Sequence, residues 1–222
     1  MSDSDTFAVG AVGAVGAAGD GQTPLSPDEL HGLIPGHITT RGELDRAEAD
    51  NIAQALVWLA RRRRSKLLSV AFAKQLHLKM YGSVWRWAGT FSREVNRTIG
   101  DDAHDIEPHL IILFDDVRYR LEQLTQGTDR VEILASFHHR LTKIHPFPNG
   151  NGRWAREMTD LLATRLGVRT IAWGRDAHTE EALHRVGDRA RERYLAALRA
   201  GDGYNIEPLL TLLREWSEPV DP

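Results

Sequence analysis

Apolar side chains recur at steps of three and four along most of this chain, the spacing that gathers them on one face of a helix. Residues 37–68 read as one long amphipathic helix with Leu44, Ala47, Ile52, Leu56 and Leu59 in that rhythm, Thr39 or Thr40 as a cap and Glu43 in the first turn or so. A second helix is expected over residues 67–86 from Val70, Phe72, Leu76, Leu78 and Met80. It runs into Trp85 and Trp87, which read as core anchors. Residues 106–124 show the pattern most fully, through Leu110, Ile111, Leu113, Phe114, Val117, Leu121 and Leu124. Residues 131–144 repeat it with Leu134, Phe137, Leu141 and Ile144, and residues 153–166 with Met158, Leu161, Leu162 and Leu166, closed by Gly167. Two more helices, over residues 180–198 and 206–216, are joined by a turn at residues 201–203. Residues 90–100 mix β-branched and polar side chains and end in glycine, which suits a short hairpin. The sum is a mostly α fold with a small β-hairpin flap.

The amino-terminal part breaks this rhythm. Residues 1–22 place a glycine at every third position of an Ala/Val stretch, so they bury little and are expected to be a disordered low-complexity tail. Residues 23–64 read as a helical extension that opens with Ser26 as a cap and Pro27 at the first helical position. Its basic run, Arg61 to Arg64, reads as a solvated helix end. Residues 217–222 are a short tail.

Composition narrows the function classes. With 222 residues, 41% of them hydrophobic, the chain supports one sizeable core with an appendage. There is no cysteine, which excludes disulfides and thiolate metal sites and agrees with a cytoplasmic address. A net charge of -3 provides no basic field for direct nucleic-acid binding, and no apolar run is long enough to span a membrane. His138 and His139 are sequence neighbours that point in different directions on a helix and fit no zinc spacing, so they read as structural.

The chemistry concentrates in HPFPNGNGRWAR, from His145 to Arg156. His145 and Phe147 each precede a proline, which disfavours helix, so the incoming helix should end near Ile144 and His145 should be extended. From Asn149 the chain turns through Gly150, Asn151 and Gly152, where glycines let backbone N–H groups converge on an anion. A helix then begins, adding its own free N–H groups and positive dipole end. Arg153 and Arg156 stand at i and i+3 of that helix, on one face, where two guanidinium forks can clamp a polyphosphate. A histidine beside such a site reads as a general base.

These residues resemble the Fic (filamentation induced by cAMP) signature, a histidine and phenylalanine followed by an acidic residue, GNGR and a second arginine. The segments LHLKMYGSVWRWAGTFSR, FHHRLTKIHPF and RERYLAALRAGDG are similar to the family as well, so the likeness covers residues 65–216. Within the family, ITTRGELDRAE together with HPFPNGNGR is most similar to the group named mobile mystery protein B. The resemblance implies a protein adenylyltransferase that moves AMP from ATP to a hydroxyl side chain of a target protein. It makes His145 the general base and Phe147 the loop anchor. Gly150, Asn151, Gly152, Arg153 and Arg156 become the phosphate ligands. The target would dock at the flap near residues 90–100, and the subgroup name adds a helix-turn-helix partner protein. The alternatives are a Fic-fold transferase of another phosphate-containing group, and a nucleotide-binding interaction protein without turnover.

Two positions complicate the match. The family's acidic magnesium ligand is replaced by Asn149, whose neutral amide should hold Mg²⁺ weakly and so weaken turnover. TTRGEL at residues 39–44 matches the threonine and glutamate of the family's inhibitory helix but has Leu44 where Gly or Asn belongs. The resemblance makes Glu43 an inhibitor acting on Arg156; a helix cap accounts for the same residues.

Overall fold

The computed structural model describes residues 31–38, 40–61, 67–94, 99–168, 171–173 and 188–217. The expected tail, the Ser26–Pro27 helix start, Thr39, most of the basic run and residues 218–222 lie outside the described residues. The rest divides into two compact units.

The first unit takes the chain up to Ser65, then Ala71–Ser92 and Phe147–Gly150. Its first helix, α1 (Arg41–Ala60), starts on a complete capping box: the Thr40 hydroxyl accepts the Glu43 N–H, and the Glu43 carboxylate accepts the Thr40 N–H at 3.0 Å. The buried face is Leu44, Glu48, Asn51, Ile52, Ala55 and Leu59, so the expected stripe is turned away from Ala47 and Leu56. The cause is two buried polar residues with dedicated partners. Glu48 accepts the Trp85 indole N–H at 2.7 Å, and the Asn51 amide both accepts from Ser83 N–H and donates to the Lys79 carbonyl at 2.9 Å. The second helix, α2 (Val70–Tyr81), ends five residues before the expected Arg86, and Leu78 is exposed. Beyond it the chain turns, and Leu33 forms an isolated antiparallel bridge with Trp85. Trp85 is fully buried, as its core reading requires.

The second unit holds Lys66–Val70, Arg93–Pro146 and Asn151–Pro222, of which the described residues form five helices. These are α3 (Ile106–Glu122), α4 (Arg130–Ile144), α5 (Asn151–Leu166), α6 (Asp188–Asp202) and α7 (Glu207–Trp216). Helix α4 is central and packs against the other four. Its apolar positions Leu134, Phe137, Leu141 and Ile144 are all buried, and Asp129 caps it by accepting from Val131 and Glu132. On α3 the stripe Ile106, Leu110, Leu113, Phe114 and Val117 is buried, whereas Ile111 faces solvent because it lies about 100° around the helix from Leu110. Helix α6 continues through Gly201 and Asp202, which moves the expected turn to Gly203 and Tyr204. Gly201 lies under the His139 ring, where a Cβ would come within 2.6 Å of Cδ2, so the close approach of α6 requires a glycine there.

No strand forms among the described residues, and the middle of the expected flap, residues 95–98, lies outside them. Its flanks are fixed: Ala103 N–H donates to the Glu94 carbonyl at 3.2 Å, and Asp101 N–H to the Ile144 carbonyl at 3.1 Å.

Candidate active site

Helix α4 ends at Ile144, and its C-cap is His145. The pre-proline rule predicts an extended histidine, but His145 is left-handed, at φ 50° and ψ 58°. Its N–H still reaches back to the Leu141 carbonyl at 3.2 Å, so the backbone closes the helix instead of leaving it. A non-glycine residue held there carries strain of ~1–3 kcal/mol, a feature common at functional sites. The ring is partly exposed, and Nδ1 lies 3.4 Å from the Thr142 carbonyl, a weak contact in which only Nδ1–H can donate. With the hydrogen on Nδ1, Nε2 is the acceptor nitrogen, the form a general base requires.

The phosphate-binding candidates begin earlier than the sequence suggests. Asn151 and Gly152 are already the first residues of α5, so their N–H groups, with that of Arg153, belong to the first turn of a helix, at the positive end of its dipole. Asn151 is buried, while Arg153 and Arg156 are partly exposed. The Arg156 side chain folds back toward the helix start: an ideal Cβ on Gly152 would stand 3.8 Å from Arg156 Nη1. Arg156 also donates to the Tyr194 hydroxyl oxygen. His145, Asn151, Gly152, Arg153 and Arg156 thus all belong to the second unit, at the end of α4 and in the first turns of α5.

Phe147, Asn149 and Gly150 belong to the first unit, where α2 holds them. Phe147 is fully buried and stacks on His77 with centroids 3.7 Å apart, and Phe91 tilts against it. His77 carries no signal in the sequence, yet it organises this stretch. Its Nδ1 accepts from Gly89 N–H at 3.0 Å, which leaves the hydrogen on Nε2, donated to the Asn149 carbonyl at 3.0 Å. Gly150 has φ 76°, and a Cβ there would come within 2.6 Å of the Tyr81 ring. No spacing rule marks His77 or Tyr81, because their partners lie 72 and 69 residues along the chain.

The donor set does not form a resident magnesium site. The Asn149 side-chain oxygen accepts from Gly150 N–H at 2.6 Å, and among the described residues no cluster of three or more His, Cys, Asp or Glu could hold a metal. Glu43 closes the α1 capping box. Among the described residues no helix is long and apolar enough to cross a membrane.

Residues 67–163 match the model of the Fic/DOC family. The chain is 29% identical over 119 residues to the protein adenylyltransferase fic-1 of Caenorhabditis briggsae, an alignment that covers 45% of this chain and 24% of that protein. It thus spans about a quarter of that relative's length. Among solved structures it is similar to BepC of Bartonella tribocorum with bound AMPPNP, at TM-score 0.64 and 17% identity, over 88% of this chain and 100% of the other. It is also similar to the amino-terminal Fic domain of a Bep effector of Bartonella quintana with bound ADP, at TM-score 0.61 and 20% identity, over 83% and 89% of the two chains. At these identities the structures establish the fold.

Proposed function

We propose, for a chain whose residues 67–163 belong to the Fic/DOC family, transfer of AMP from ATP to a hydroxyl side chain of a target protein. The observation that carries this reading is the Arg156 side chain folded back over Gly152 at the start of α5, the helix that begins six residues after His145.

In this reaction the target oxygen attacks the α-phosphorus and the bond from that phosphorus to the α–β bridging oxygen breaks. The hydroxyl proton passes to His145 Nε2, and pyrophosphate leaves. The N–H groups of Asn151, Gly152 and Arg153 hold phosphate oxygens through the helix start, and Arg153 and Arg156 neutralise the charge gathering on the leaving group. Magnesium enters as part of the MgATP substrate, where Asn149 would offer it a neutral amide oxygen in place of a carboxylate. The target segment lies along residues 90–100 and pairs through its main chain. The bond from Asp101 N–H to the Ile144 carbonyl supports this docking place, because it ties the end of that segment to the residue before His145. A nucleotide-bearing relative and an adenylyltransferase relative support the transferred group.

Incubation with candidate targets and ATP labelled at the α- or the γ-phosphate tests the reading. Label from the α position that disappears in His145→Ala is expected. Label from the γ position would make the reaction phosphate transfer. Nucleotide binding without either label would make the protein a binding module.

A further inference from the structure

We propose that His138, Thr159 and Tyr194 form a positioning relay that fixes the guanidinium of Arg156 over Gly152. The inference rests on the reading of Arg156 as a phosphate ligand and extends it to residues that touch no nucleotide.

All four side chains lie in the second unit, on three helices: His138 on α4, Arg156 and Thr159 on α5, Tyr194 on α6. His138 and Thr159 have no exposed surface, and Tyr194 is buried. His138 Nδ1 lies 2.9 Å from Thr159 Oγ1 and Nε2 lies 2.8 Å from Tyr194 Oη. Thr159 Oγ1 is also 2.7 Å from the Ala155 carbonyl.

These contacts fix every proton. A carbonyl can only accept, so the Thr159 hydrogen goes to Ala155, and His138 must donate Nδ1–H to Thr159. The bare Nε2 then accepts the Tyr194 hydrogen, which leaves the Tyr194 oxygen lone pairs for Arg156. Burial raises the Tyr194 phenol above its ordinary value, so it keeps the hydrogen this assignment requires. In the reverse assignment, two oxygens would meet at 2.7 Å without a hydrogen between them.

The chain of bonds therefore starts on the Arg156 guanidinium and returns to the carbonyl of Ala155, its neighbour on α5. Tyr194, His138, Thr159 and Ala155 are all buried, so thermal motion of Arg156 is opposed by packed groups, some of them on two other helices. Trp173, itself buried, packs on the relay: its ring lies 4.6 Å from that of His138 and meets Tyr194 edge-on, while its indole N–H donates to Asp160 on α5. A hydroxyl can orient a guanidinium without cancelling its charge, which a carboxylate in the Tyr194 role would do.

The test uses the full chain labelled with ¹⁵N. Arg156→Lys assigns the Arg156 guanidinium resonance, which should be sharp in the parent protein. Tyr194→Phe and His138→Leu should broaden it. His138→Gln, whose side-chain oxygen can still accept the Tyr194 hydrogen, should retain it. Calorimetric titration should show ATP affinity falling about tenfold in Tyr194→Phe, with AMP affinity unchanged. An Arg156 resonance unaltered in both Tyr194→Phe and His138→Leu overturns the relay. Equal broadening in His138→Gln and His138→Leu would make His138 a packing residue and remove it from the relay. If the resonances behave as expected but the parent protein binds ATP no tighter than AMP, the phosphate role of Arg156 fails while its positioning stands.

Discussion

His77 carries more of the loop than its place on the sequence suggests. It spends both ring nitrogens on backbone, accepting from Gly89 and donating to Asn149, and it stacks on Phe147. His77→Phe keeps the aromatic stack but strands a carbonyl and an N–H, which should lower stability by ~1–3 kcal/mol in urea denaturation. The same variant should weaken ATP binding, because the Asn149–Gly150 backbone loses its tether to α2. Full stability and unchanged ATP affinity in His77→Phe would leave the loop held by Phe147 alone. The motif residues are legible in the sequence because their types and spacing announce anion chemistry. His77 is not, since a lone histidine on a helix has no local signature and its loop partner is 72 residues away. The conformation of His145 escapes prediction for a related reason: the pre-proline rule is a local preference, and the bond to the Leu141 carbonyl overrides it.

At the scale of elements, apolar periodicity locates the helices well and their faces less well. Helix α4 agrees at every expected core position, since its four apolar residues point into packing that surrounds it. Helix α1 does not, because Glu48 and Asn51 are buried to serve Trp85, Ser83 and Lys79, and periodicity counts only apolar residues. Helix α5 begins before its apolar pattern does, because Asn151 and Gly152 are weak helix formers that nonetheless open the helix. The α1 capping box makes the role of Glu43 a testable question. Thr40→Ala and Glu43→Gly should each lower stability by ~1 kcal/mol, since each removes one half of the box. If capping is the whole role of Glu43, the rate of ATP-dependent modification should be the same in both variants and in the parent. A rate that rises in Glu43→Gly but not in Thr40→Ala would give Glu43 the inhibitory role that its resemblance implies.

For the whole molecule, the buried histidine of the second unit ties folding stability to mild acid. Burial first, and then the charge of Arg156, lowers the pKa of His138 from its ordinary 6.5 to about 3. Thr159 and Tyr194 face its two nitrogens, and Trp173 covers its ring. Below the ordinary histidine value the unfolded chain takes up a proton that the folded chain refuses. The stability associated with neutral His138 is therefore complete above pH 6.5 and declines as the pH falls toward the folded value. The slope of that decline approaches ~1.4 kcal/mol per pH unit. Carboxylates join mainly below about pH 4.5, so the interval from about pH 6 to 4.5 reports histidine linkage. Urea denaturation at half-unit steps through that interval should show stability falling with pH in the parent protein. His138→Gln, which has nothing to protonate, should show a slope shallower by up to ~1.4 kcal/mol per pH unit, whatever its absolute stability. Equal slopes in the two proteins would mean that folded His138 takes up its proton as readily as the unfolded chain does, which a ring donating to Thr159 and accepting from Tyr194 has no lone pair left to do.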